Sequence, residues 1–553
     1  MIKYLSAIVS ILFLPALIVV PVNAHQYDGA PAPQTTARST DRQRSPELIE
    51  SDWRFCTNHP IQAQPQFTAM IHACDRAILD PATGNQVAWE RQAELLHSKA
   101  AWQYSSGETV AALATLDWID AIAAGKTSLA YDGSTGLANT MLRALLLAEG
   151  GRRDEALALL QQARAVRPYA LVIQQAIDRV EIRISGDADR IPALIERHIT
   201  LDPTAAQTLF YLHYRRGNLA AASQVAGLVQ FGRPQMMGGW SQGVRHTSIV
   251  AQIREQLDFH YLVAYVSAAL GDTAGSDQAF AAATERLRVH AGTDPQIAGR
   301  ASRAEIEAWQ GRVRWVESVR ETDRPWRAAI ALRARLAAGE SPDLLEQPEN
   351  QAVTGLIVID DMLRLIAHMH PDRRAAIEGR LTQAQAAATA PLLNASRLDL
   401  VRLLPENELL VDYPRFGRAG DGIVANRENG YSQAPHRSGE ARTFRFGTWF
   451  GSPATADELA ILAAATYAQR EGADSFILTG RNLTERETRM ISLYLAPRTY
   501  DSGSEGAVLA VLLNSNAIPP QWEAHRSRLI RVADVMASIG ARQQAIEAAK
   551  AAR

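Results

Sequence analysis

The chain is poor in cysteine and lysine, and it holds a single long apolar run. Its two cysteines, in 553 residues, allow at most one internal disulfide, and at positions 56 and 74 they do not form a C-x-x-C redox pair. Lysine occurs only at Lys3, Lys99, Lys126 and Lys550, so arginine supplies nearly all the positive charge. The formal net charge of −2 carries neither a basic nucleic-acid footprint nor an acidic tail, and no nucleic acid is expected as a partner. Beyond residue 24 no apolar stretch approaches the length of a membrane span.

That one run, Leu5 to Val20, follows Lys3 and precedes the small residues Val22 and Ala24. These three parts make a secretory signal peptide over residues 1–24, with cleavage after Ala24 and a mature chain from His25. The alternative is an uncleaved anchor, but the run is short for a span and Pro15 interrupts it. No cysteine stands at the mature start to take a lipid. The expected location is periplasmic or secreted. Residues 25–50, rich in Pro, Ala, Thr, Ser and Arg, read as a disordered linker, in which Arg38, Arg42 and Arg44 face water. Export and an even cysteine count predict a structural bridge between Cys56 and Cys74, against two free buried thiols. It would clamp the N-terminal arm onto a helix bearing Phe67, Met70, Ile71 and Ile78.

The strongest local pattern runs from Leu137 to Pro168. Leu142, Leu145 and Leu146 recur at helical spacing, Gly150-Gly151 make a turn, and Ala156, Leu159, Leu160 and Ala163 form a second apolar stripe stopped by Pro168. Asp154 and Glu155 suit the second helix's N-terminus. Such a pair cannot bury both faces alone and must stack on others. Gly107, Gly186, Gly217 and Gly271 each stand likewise between two helical stretches. Gly151, Ala156, Leu160, Ala163 and Pro168 fall at offsets that resemble the tetratricopeptide repeat, over roughly residues 89–290. The resemblance implies stacked helical hairpins whose first helices line a concave, protein-binding side. On the copy opening at Thr204 the exposed candidates are Gln207, Tyr211, Tyr214 and Arg215, within the aromatic and cationic run FYLHYRR. The alternative packs the two tyrosines against the next repeat and leaves the arginines in water.

Gly239-Trp240-Ser241-Gln242-Gly243 matches the G-x-S-x-G elbow of serine hydrolases. That motif needs a buried strand before it, and only Met236-Met237 stand there, so a loop between repeats is expected. Gly125-Lys126-Thr127 lacks the first glycine of a P-loop, and His368 and His370 are spaced for opposite helix faces. Asp360-Asp361 reads as a polar helix edge. No metal or cofactor is expected.

Residues 301–390 stay helical without repeat phase. After Pro391 the pattern changes: Leu409–Val411 is a short apolar run, TFRFGTWF alternates like a strand, and Thr455 to Arg470 reads as an amphipathic helix. Ser475–Thr479 and Ala507–Leu513 read as further strands, and Trp522 to Arg553 as one helix with Leu529, Val532 and Met536 on a common face. Gly430-Tyr431-Ser432, Phe444-Arg445-Phe446-Gly447 and Gly472-Ala473-Asp474-Ser475-Phe476 resemble a family of small bacterial envelope lipoproteins of unsettled function. That resemblance implies cell-envelope association and supplies no catalytic residue.

The fold class expected is mainly α: a tetratricopeptide-like helical-hairpin solenoid (51–390), a small α+β domain (391–515) and a C-terminal helix (516–553). The leading functional expectation is an exported, non-enzymatic scaffold binding a protein or peptide partner. The alternatives are a hydrolase using Ser241 and a structural cell-envelope protein.

Overall fold

The computed structural model describes residues 46–57, 66–79, 89–231, 242–299, 301–419, 430–436, 440–449, 451–490 and 498–552. Residues 1–24, read above as a signal peptide, residues 25–45 of the stretch read as a linker, and Ser241 lie outside the described residues. The chain is mainly helical, with one five-stranded antiparallel sheet, and no described helix is long and apolar enough to cross a membrane. It divides into two compact units. Unit 1 joins residues up to Asp202 with those from Ala390 onward, and unit 2 is residues 203–389. The expected boundaries therefore change: residues 51–390 are not one domain, and the α+β region shares a unit with the first hairpins.

Unit 1 opens with α1 (Pro46–Thr57), which begins inside the stretch read as linker. Pro46 takes the first helical position, where its fixed φ suits the helix and its missing N–H costs nothing. Helix α2 (Phe67–Leu79) follows, and then hairpins α3/α4 (Trp89–Ser106, Thr109–Ala123) and α6/α7 (Thr135–Glu149, Arg153–Val166), with the short α5 (Leu129–Asp132) between them. α8 (Leu171–Ser185) and the short α9 (Ile191–Glu196) complete this part.

Unit 2 has α10/α11 (Ala205–Arg215, Leu219–Ala226) and α12/α13 (Gln242–Ala269, Thr273–Ala291). They are followed by α14 (Arg303–Val319), α15 (Arg324–Ala337), α16 (Gln351–Thr354), α17 (Ile359–Met369) and α18 (Pro371–Leu393).

The hairpins close by one device. At Gly151 (φ +82°) the glycine N–H bonds Ala148 O at 3.0 Å and the next N–H bonds Leu147 O at 2.9 Å. This paired closure, which needs a residue at home in the left-handed region, recurs at Gly107, Gly217, Gly271 and Gly339. The expected stripes face inward: Leu142, Leu145, Leu146, Ala156, Leu160 and Ala163 are buried, and Leu159 is half-buried against that core.

The Cys56 and Cys74 sulfurs stand at disulfide distance, with their Cα atoms 4.8 Å apart, and Cys56 O accepts from the buried Trp102 indole at 2.8 Å. Arg76 and Asp52 pair across the same two helices. Replacing both cysteines by alanine should cost about 3 kcal/mol, the chain-entropy value for a loop this short. Urea unfolding of the oxidised protein and the variant checks it; coincident midpoints would show that the helices hold without the bridge.

The C-terminal part of unit 1 begins with α19 (Arg397–Val401). The sheet then forms from β1 (Gly430–Pro435), β2 (Ala441–Thr448), β3 (Ser475–Met490), β4 (Arg498–Leu513) and β5 (Ile530–Arg531), in the order β1-β2-β4-β3-β5. Helix α20 (Pro453–Arg470) links β2 to β3. Period-two alternation splits the strands between two faces. Phe444, Phe446, Phe476, Leu478, Val508 and Ala510 pack under α20, while Ile477, Leu509, Val511 and Leu513 meet Trp522 and Leu529 behind.

Two expectations fail here. Helix α20 is not amphipathic: from Ala454 to Ala465 every residue is buried, and it is capped by Ser452 rather than opened by Thr455. Nor is 516–553 a helix throughout. A turn, α21 (Pro520–Glu523), precedes β5, which pairs with Ser475 and Phe476. Only from Val532 is the chain helical, through α22 (Val532–Val535), a π turn and α23 (Ala541–Ala552). The strand pairing puts Leu529 behind the sheet, away from Val532 and Met536.

Candidate functional site

The residues expected to face a partner lie on α10 in unit 2, and the structure separates them. Tyr214 is fully buried in the unit's core and its hydroxyl donates to Ile357 O at 3.3 Å, so it packs inward and offers nothing to a ligand. Tyr211 is half-buried, set edge-on to Phe210 and Phe259, with ring centroids 5.7 and 6.2 Å away. Burial first, and then Glu255 and Asp258, push its phenol above the ordinary range. Gln207, one turn earlier, donates to Glu255 of α12 at 2.9 Å. Arg215 is half-buried, and burial lowers its pKa against the pull of Asp360.

The surface that remains is thus Gln207, Tyr211 and Arg215 on α10 beside Arg254, Glu255 and Asp258 on α12. Asp258 is solvent-exposed, yet protein crowding pushes its carboxyl up to about 6, with Arg254 pulling down and Glu255 pushing further up. The patch sets a half-buried tyrosine beside two acids and two arginines.

Asp361, read as a polar edge, is buried: it accepts from Tyr265 at 2.8 Å and from Arg333 at 2.7 Å. Among the described residues no group of three or more His, Cys, Asp or Glu is placed to hold a metal.

In unit 1 the corresponding first helices, α3 and α6, carry the chain's own later segment. Arg397 forks onto Glu149 (3.1 and 2.7 Å) at the C-terminal end of α6 and lies over the Tyr104 ring, 5.4 Å away. Leu400, Val401 and Leu404 sink into the core of the first hairpins. Asn407 then bonds Thr135, Ser134 donates to Glu408 O at 3.4 Å, and Leu410 and Tyr413 pack with Ala130.

Behind this segment sits a buried charge cluster that periodicity could not reveal. Arg167, at the end of α7, donates to Glu458 (2.8 Å), Glu408 (3.0 Å), Thr455 (2.7 Å) and Gly133 O (3.2 Å). The other Glu408 oxygen accepts from Ser452 N at 3.1 Å and from the Ser452 hydroxyl, so this carboxylate holds the residue that caps α20. Arg542 of α23 also pairs with Glu458. Burial alone would lower the Arg167 pKa, but Glu458 and Glu408 outweigh it and raise it. No family model, curated protein or solved structure matches the chain.

Proposed function

We propose that this chain is an exported, non-enzymatic scaffold whose hairpins stack in a tetratricopeptide-like solenoid and whose unit 2 binds a protein partner. The observation that carries the reading is the surface of α10 and α12. Gln207, Tyr211, Arg215, Arg254, Glu255 and Asp258 there combine partial burial, an aromatic and both charges. The comparable first-helix face of unit 1 is filled by the chain itself, which supports unit 2 as the partner-binding part. The recurring glycine closures at residues 107, 151, 217 and 271 support a repeat origin for the hairpins.

A photo-crosslinking residue at position 207, in protein exported from a bacterial host, should give a discrete adduct. The same residue at position 303, on an open helix face, should give none. Tyr211→Ala should abolish the position-207 adduct and leave the thermal midpoint within a few degrees. Equal labelling from both positions would sink the reading.

A further inference from the structure

We infer that the face of α3 and α6, with the ends of α7, α8 and α9, is a recognition surface for the chain's own C-terminal piece, residues 395–553. It holds that piece without any covalent connection through unit 2. Four observations lead there, and none depends on the partner proposed for unit 2.

Unit 1 is made from two separate stretches of chain, with all of unit 2 inserted between them. The apolar part of the contact is continuous: Leu400, Val401 and Leu404 share a core with the first hairpins, while Leu201, with Tyr169 and Leu171, joins the core between sheet and α20. Charge complementarity runs both ways. The N-terminal piece offers Glu149 to Arg397, and it offers Arg167 to Glu408 and Glu458. These pairs fix direction, so the segment from Arg397 to Tyr413 runs antiparallel to α3 and α6.

Arginines of the C-terminal piece also read main-chain carbonyls of the N-terminal one. Arg481 donates to Leu201 O (2.9 Å) and Tyr169 O (2.8 Å), and Arg528 donates to Ile199 O (3.1 Å). An apolar centre with oriented charge pairs has the anatomy of a specific, stable interface. The occupant it fits is a short amphipathic helix followed by Asn-Glu and a capped second helix.

The test uses the full-length chain with a specific protease site inserted after the exposed Thr204 and another after the exposed Asn394. After cleavage, gel filtration with mass spectrometry should find pieces 1–204 and 395–553 eluting together in equal amounts. Elution of the two apart, or precipitation of either on cleavage of a folded starting protein, would overturn the inference. Glu408→Gln in the same chain should loosen the two-piece complex at least tenfold, read from its dissociation on dilution. Should that variant fail to fold, Arg397→Ala at the rim should loosen it about two- to fivefold. Unaltered dissociation in every folded variant would remove the charge-reading part of the proposal.

Discussion

Arg167→Met should lower the stability of unit 1 by about 3–5 kcal/mol, the cost of leaving a buried carboxylate without its partner. Arg167 and Glu458 are both essentially inaccessible, and Glu408 is 5% exposed. Methionine fills the stem's volume but returns none of the guanidinium's four contacts. The loss should shrink in acid, where the wild type gives up this carboxylate's contribution as well. Burial alone would raise the Glu458 pKa, but Arg167 and Arg542 outweigh it and hold it below the ordinary value. A depressed carboxylate contributes stability that is present above its unfolded pKa, about 4.3, and is lost as pH falls through the folded value. That contribution shrinks in the variant because one of its two cations is gone. Urea unfolding at neutral pH and at pH 4 measures both effects. The triple variant Arg167→Met, Glu408→Gln, Glu458→Met should recover at least half of the loss, since neutral groups replace stranded ions. A cost below 1 kcal/mol for the single change would mean that water reaches the cluster.

Gly506→Val should cost about 4 kcal/mol or more, through crowding instead of charge. Helix α20 rests directly on β4 at this glycine: a Cβ there would lie 2.6 Å from Ala456 C and 2.7 Å from Asp457 Cα. Those atoms are backbone in the first turns of a helix buried all round, so neither can swing aside, and the helix must lift from the sheet. Lifting α20 also pulls Asp457 from Arg481 and Glu458 from Arg167. The contrast is Gly379→Ala on α18, where nothing lies within 4 Å; the same kind of change should there stabilise by up to about 1 kcal/mol. Thermal unfolding of the two variants should move in opposite directions. A Gly506→Val protein that melts like the wild type would show that the helix and sheet can part at small cost.

Local features were legible in the sequence wherever one stretch of chain decides its own structure. The glycine turns, the leucine stripe from Leu142 to Leu146 and three of the five strands, β2, β3 and β4, follow from period and turn chemistry, whereas β1 and β5 did not show. The cysteine pair followed from an even count of two. What stayed hidden is what distant stretches do together. Glu458 on an apolar helix reads as a wet face, and only Arg167, far earlier in the chain, makes it an inside residue. Tyr214 and Tyr211 look alike in FYLHYRR, yet three residues turn the side chain by most of a helical revolution, and one is core while the other is surface. The unit boundary between Asp202 and Pro203 falls between two helical stretches that sequence period alone reads as neighbours in one array.

The split make-up of unit 1 sets an order of events during synthesis. Unit 2 is continuous in sequence, so it can close its glycine-turned hairpins as it emerges. The first hairpins cannot finish. The face awaiting Leu400, Val401 and Leu404 stays bare until residues 203–389 have been made, and the Glu458 that answers Arg167 comes later still. A chain in that condition has an interval in which an apolar surface is open while its filler is still being made. Chaperone occupancy and aggregation should peak in that interval, and shortening residues 203–389 would narrow it more than any repair of the finished core.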